Sequence, residues 1–221
     1  MTFIDKRARS ALATISLCGG ILSTSLFPTS ARAGAEEDYV AATKMYATGD
    51  VINAMSKLQP AADAGHAGAQ ALYALILSRA DSDEEAIRYF RMSAEQGNSD
   101  GQFGYGSMIA AGDGIKADPI EARKWILAAA NQGHPEAVNA MALAYMNGGL
   151  GLRDAPRDDA TALGWIVKAA ESGFIPAMDA LSKAYASGGY GLPADAKLAT
   201  EWTAKLHKQQ GLKKKRAGDR K

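Results

Sequence analysis

Three histidines, one cysteine and a few adjacent acids are the residues whose chemistry could build an active or metal site in this 221-residue chain. A metal site on one helix would pair His66, His134 or His207 as His-x-x-x-His or His-Glu-x-x-His, and neither spacing occurs. His66 and His134 instead each follow a glycine, as turn residues do. A serine nucleophile on a sharp elbow needs Gly-x-Ser-x-Gly, whereas Gly104-Tyr105-Gly106-Ser107 sits inside a helical pattern. Glu36/Glu37, Glu84/Glu85 and Asp158/Asp159 stand near helix starts, where the helix dipole favours negative charge without any catalytic role. The glycines of 148–152 and 188–193 are followed by no Lys-Ser/Thr and follow no strand, so they are not a phosphate loop. The expectation is a chain that is not an enzyme and needs no cofactor or metal.

The elements that carry these residues recur. A long or aromatic residue is followed about eight positions later by glycine at Lys57/Gly65, Tyr89/Gly97, Trp125/Gly133, Trp165/Gly173 and Trp202/Gly211. Three residues before each first member stands Ala54, Ala86, Ala122, Ala162 or Ala199, and seven before it Asp50, Ser82, Asp118, Asp158 or Asp195. The period is 32 to 40 residues, the spacing of stacked helix pairs. A second register precedes the first, starting at Asp38, Ala69, Gly101, Ala137 and Ala177. Positions 0, 4, 8 and 11 of it share one helical face and end near Gly49, Ala80, Gly112, Gly148 and Gly188. The Asp or Ser then caps the second helix by accepting its unbonded N–H groups. The alanine lets two helices approach, the aromatic fills the space beside it, and the last glycine stops the helix.

The segment Asp118-Pro119-Ile120-Glu121-Ala122-Arg123-Lys124-Trp125, with Ala129-Ala130-Asn131-Gln132-Gly133-His134, resembles the Sel-one-like repeat, a relative of the tetratricopeptide repeat. The resemblance covers residues 38 to 211 in five copies; Lys57, Ser82 and an extra residue before Gly211 depart from it. It implies an all-α fold, a right-handed α-solenoid of about five helix-turn-helix repeats used for protein–protein contact. Bacterial members of the family sit in the envelope as regulators, adaptors or secreted host-interaction factors. Cysteine-rich members are linked to β-lactam binding, but this chain has no cysteine beyond Cys18. A cell-wall or β-lactam-related hydrolase is therefore the weakest alternative.

Residues 1–33 look like a signal peptide. Lys6, Arg7 and Arg9 are its basic start, Ala11 to Phe27 is an uncharged apolar run of 17 residues, and Ala31-Arg32-Ala33 offers a cleavage site. The alternatives are an uncleaved anchor, at the lower edge of a membrane span, and a lipoprotein signal, which Leu17 before Cys18 disfavours. Cleavage before Gly34 would leave a mature chain with no thiol, suited to an oxidising compartment. The repeats then occupy 34–211, and 212–221 is a basic tail expected to be disordered. Residues 34–204 carry 13 basic and 22 acidic side chains, a net −9, while 205–221 carry eight basic and one acidic. An exported acidic body excludes nucleic acid as partner. Membrane contact is expected only through the basic tail or an uncleaved signal.

By the family resemblance, the first helices line a concave groove with register offsets −1, 2, 6, 9 and 10. These give Lys44 and Thr48; Leu75, Ser78 and Arg79; Phe103 and Ser107; Asn139, Leu143, Met146 and Asn147; Asp179 and Lys183. Lys44, Arg79 and Lys183 could hold carboxylates, and Asn139 and Asn147 could bond a peptide backbone. Two near-copied insertions, Gly148-Gly149-Leu150-Gly151-Leu152 and Gly188-Gly189-Tyr190-Gly191-Leu192-Pro193, either pack between repeats or offer Tyr190 to a partner. The expected function is a monomeric periplasmic scaffold or regulator binding another envelope protein, with a secreted host-interaction factor as the alternative.

Overall fold

The structure is a computed structural model describing residues 29–153, 155–156 and 158–218. Ten helices occupy it, and the only bridge among the described residues is the isolated Gly189–Leu192 pair. They fall into five pairs: α1 (Thr29–Ala47) with α2 (Val51–Asp63), α3 (Ala67–Arg79) with α4 (Asp83–Glu95), α5 (Ser99–Ala111) with α6 (Pro119–Asn131), α7 (Pro135–Asn147) with α8 (Asp159–Glu171), and α9 (Ile175–Ser187) with α10 (Ala196–Gly218). Each helix packs on the next, and α3 also meets α1 and α5 while α7 meets α9. Short connections reverse the chain at each step, so the first helices all run one way and form one face of the stack.

One residue closes each second helix and opens the next first helix. Gly65, Gly97, Gly133 and Gly173 have φ between 83° and 87°, a left-handed turn that glycine adopts at little cost. The N–H of the following residue then bonds back into the finished helix: His66 to Ala61, Asn98 to Ser93, His134 to Ala129 and Phe174 to Ala169. Three of those four residues also cap the next helix with a side chain. His66 Nδ1 accepts from Ala69 N, Asn98 Oδ1 from Gly101 N, and His134 Nδ1 from Ala137 N. The acidic caps work as their positions imply, with Asp50, Asp118, Asp158 and Asp195 each accepting first-turn amides. Ser82 makes no side-chain cap bond.

Ala54, Ala86, Ala122 and Ala162 are buried at the crossings. The aromatics beside them meet first-helix aromatics edge-on, Tyr73 with Tyr89 at 5.0 Å and Tyr105 with Trp125 at 5.4 Å. Polar side chains tie helices together both within and between the pairs. Tyr89 donates to Asp63 at 2.6 Å, Ser93 to Ala67 O at 2.7 Å, Gln132 to Gln102 at 2.8 Å, and Gln209 to Gly173 O at 3.3 Å. Burial, and next the Asp63 bond, pushes the Tyr89 phenol up. In the first repeat Lys57 replaces the aromatic and pairs with Asp38 at 2.7 Å.

Three expectations change. In the second repeat the left-handed turn residue is Asp81, at φ 56°, and not Ala80. Gly211 does not stop the last helix, which runs on to Gly218. Helix-forming Leu212, Lys213–Lys215 and Arg216 follow it. Residues 212–218, expected to be disordered, are therefore helical. The signal-peptide reading of 1–33 lies outside the described residues except for 29–33, which form the start of α1.

Candidate functional site

The first helices enclose a groove of about 540 Å³ across α1, α3 and α5, reaching the start of α7. Its floor is apolar. Leu72 and Leu75 come from α3, Phe103 from α5, Tyr39 from α1 and Phe90 from α4. Two glycines let the rings approach helix backbone closely. A Cβ on Gly68 would sit 2.8 Å from Tyr39 Cζ, and one on Gly104 would sit 2.1 Å from Phe90 Cε1. Any larger residue at either position would displace a ring that lines the groove.

The two edges differ in charge because the first helices are parallel. At the N-terminal edge, His134 stacks on Phe103 with ring centroids 4.7 Å apart. Its Nε2 lies 3.2 Å from Asp100, and Glu136 lies 3.5 Å from Nδ1. The same unit recurs beside α1, where His66 lies 4.6 Å from the Tyr39 ring centroid and bonds Glu36 at 2.8 Å. At the opposite edge Arg79 donates to the Tyr46 hydroxyl and lies over its ring. Ser107 stands near the end of α5 on this face.

These histidines are not general bases. Each spends Nδ1 as the acceptor for a helix-start amide, so the remaining nitrogen carries the proton and points at a carboxylate. Among the described residues no group of three His, Cys, Asp or Glu side chains is placed to hold a metal. The groove combines an apolar floor, an acid edge and one guanidinium opposite.

Of the residues expected to bind a partner, the groove brings together Leu75, Arg79, Phe103 and Ser107. Met146, Asn147 and Tyr190 line a second, polar cleft of about 440 Å³ with Leu152, Arg153 and Asp158. There the Thr161 hydroxyl, at 2.6 Å, and its amide hold the Asp158 carboxyl below its ordinary range. Leu150, Tyr190 and Leu192 also pack against the core of α6–α10, so the insertions fill space between repeats as well as walling the cleft.

Lys44, Asn139, Asp179 and Lys183 line neither space. Asp179 and Lys183 pair with each other at 2.7 Å. Asn139 Oδ1 is buried with no hydrogen-bond partner among the described residues. Lys44 is exposed on another face of α1, whose groove side is Tyr39, Thr43 and Tyr46. The lining of α1 falls one residue from the offsets counted from Asp38, which is not a buried small residue like position 0 of the later repeats. One position rotates a helical side chain by about 100°. Leu72 and Gly104, at offset 3, and Phe90, from a second helix, were not among the expected groove residues. Asp100 and Glu136 occupy offset −1 but were not among the expected residues either.

Comparison with known proteins agrees with this architecture. The family model described as Sel1 repeat matches residues 69–98, 99–134, 135–174 and 175–206. The matched boundaries coincide with the helix pairs from α3 onward, and the first pair lies outside them. No curated protein matches. A Sel1 repeat protein from Oxalobacter formigenes superposes with a TM-score of 0.65 at 25% identity, over 83% of this chain and 74% of that one. A protective antigen of uropathogenic Escherichia coli with an SLR fold gives 0.69 at 26% identity, over 79% of this chain. The present chain spans only 38% of that antigen. A sel1 repeat protein from Klebsiella pneumoniae subsp. pneumoniae shares the fold, with a TM-score of 0.56 at 20% identity over 89% and 97%.

Proposed function

The chain belongs to the Sel1 repeat family, and on that premise we propose that it is a non-catalytic periplasmic scaffold or regulator that holds another envelope protein in its first-helix groove. The family supports a protein–protein interaction role. The observation that carries the groove reading is the apolar floor of Leu72, Leu75 and Phe103 left open to solvent between charged edges. Apolar surface in a concavity of this kind is where an extended or helical segment docks. Export rests on the basic start, apolar run and Ala31-Arg32-Ala33 of the first 33 residues.

Capture of partners by the tagged chain, with Leu75→Ser/Phe103→Ser as comparison, tests the groove. The account expects at least tenfold weaker binding, about 1.4 kcal/mol, from a variant whose circular dichroism is unchanged. Equal capture would place binding elsewhere. Fusing residues 1–33 to a phosphatase active only outside the cytoplasm tests export; an inactive fusion would remove the periplasmic reading. A secreted host-interaction factor is the second reading, favoured by likeness to the uropathogenic antigen. Recovery of the chain in culture medium would select it.

A further inference from the structure

The groove has a chemical polarity that a general scaffold does not require. Asp100 and Glu136 stand on its N-terminal edge with 65% and 66% of their side-chain surface exposed. The contacts found for both are with His134, which in its capping tautomer bears no charge. Their position in the first turns of α5 and α7 suits the helix dipoles, but that accounts for the backbone position and leaves the outward oxygens to solvent. Arg79 stands on the other edge, and its partner Tyr46 is also neutral. Between them lie Leu72, Leu75 and Phe103. The two edges are thus charged in opposite senses, and neither charge is neutralised by these contacts.

We propose, building on the groove reading above, that the occupant is a segment of another protein carrying a lysine or arginine and a carboxylate on either side of an aromatic or branched apolar residue. The cation meets Asp100 and Glu136, the apolar side chain rests on Phe103 and the leucines, and the carboxylate meets Arg79. Arg79 and Asp100 are eleven register positions apart on their parallel helices, a rise along the groove of ~16 Å at 1.5 Å per residue. An extended segment covers that span in about five residues. The recognised pattern is therefore a cation and a carboxylate about five residues apart with an apolar anchor between them. Charge placed in this way fixes direction and partner choice more than it adds affinity. The negative body, at −9 over residues 34–204, raises the encounter rate for a segment that leads with its cation.

The test is selection of random twelve-residue peptides displayed on phage against the immobilised chain. The selection is run in parallel on Asp100→Asn/Glu136→Gln, on Arg79→Gln and on Leu75→Ser/Phe103→Ser. The account expects sequences with Lys or Arg four to six residues from Asp or Glu, enclosing an aromatic or branched residue. The cation preference should vanish on the Asn/Gln variant and the carboxylate preference on Arg79→Gln. For one selected peptide, replacing its cation by glutamine should weaken binding at least fivefold on the unaltered chain and leave binding to the Asn/Gln variant unchanged. Peptides without the charge pattern, lost only on the Ser/Ser variant, would overturn this inference and leave the groove reading standing. Peptides unaffected by any of the three variants, or no selected peptides, would overturn both. Selected sequences resembling residues 212–221, together with self-association lost when the chain ends at Gly211, would make a second copy the occupant and overturn a foreign partner.

Discussion

Replacing Gly101 by alanine should destabilise the protein, although alanine is the better helix former. In a helix interior glycine is about 1 kcal/mol worse than alanine, so in open space the change would stabilise. At Gly101 the new Cβ would lie 2.3 Å from Ser93 Oγ, 2.5 Å from Ser93 Cβ and 2.8 Å from the backbone nitrogen of Ala94. The nitrogen is fixed within α4. The Ser93 hydroxyl can leave only by giving up its 2.7 Å bond to Ala67 O. Overpacking of this kind costs about 1–3 kcal/mol, and the lost bond adds about 1 kcal/mol. After subtracting the propensity gain, the net cost is about 1–3 kcal/mol, localised to the α4–α5 contact. Gly164 of α8 is the internal comparison, because nothing lies within 4 Å of its Cβ position. Gly164→Ala should stabilise by about 0.5–1 kcal/mol. Urea unfolding followed by circular dichroism measures both. A Gly101→Ala protein as stable as the parent, or two variants shifting in the same direction, would refute the packing argument.

His134→Ala should cost about 1 kcal/mol more than His134→Asn, because asparagine can replace the Nδ1 cap as Asn98 does one repeat earlier; thermal melts of the two variants check it. Tyr89→Phe should lose about 1 kcal/mol by removing the bond to Asp63 between α4 and α2, and denaturant unfolding measures it. Thr161→Val should raise the Asp158 carboxyl, whose folded value is held low first by the Thr161 hydroxyl. A lowered folded value stabilises above the unfolded one and is lost as pH falls through it. The stability gap between parent and Thr161→Val should therefore be present at neutral pH and close in acid, as a series of melts would show.

The helix pairs were legible because one residue type recurs at each structural job. Asp at 50, 118, 158 and 195 starts second helices, glycine at 65, 97, 133 and 173 ends them, and buried alanine marks the crossings. These are local demands, met within a few residues of the chain. The groove was only partly legible, because its lining depends on how helices are turned against one another. Leu75, Arg79, Phe103 and Ser107 fell where the offsets put them, but in α1 the lining lies one residue from the offsets counted from Asp38, so Thr43 and Tyr46 line the groove and Lys44 does not. Asp179 and Lys183 look available in sequence, yet one helical turn brings them together. The double use of His66 and His134, as backbone closure of one helix and side-chain cap of the next, needs the turn's geometry. Only the following proline in His134-Pro135 hinted at a cap.

Site-specific photo-crosslinking in living cells tests the central claim most directly. A benzophenone side chain at Thr43 or Ser107 faces the groove, and one at Met92 or Lys124 faces outward from a second helix. The account predicts one discrete crosslinked protein from Thr43 and Ser107, reduced by Leu75→Ser/Phe103→Ser, and none of that species from Met92 or Lys124. The same species appearing from Met92 and Lys124, with none from the groove positions, would contradict it.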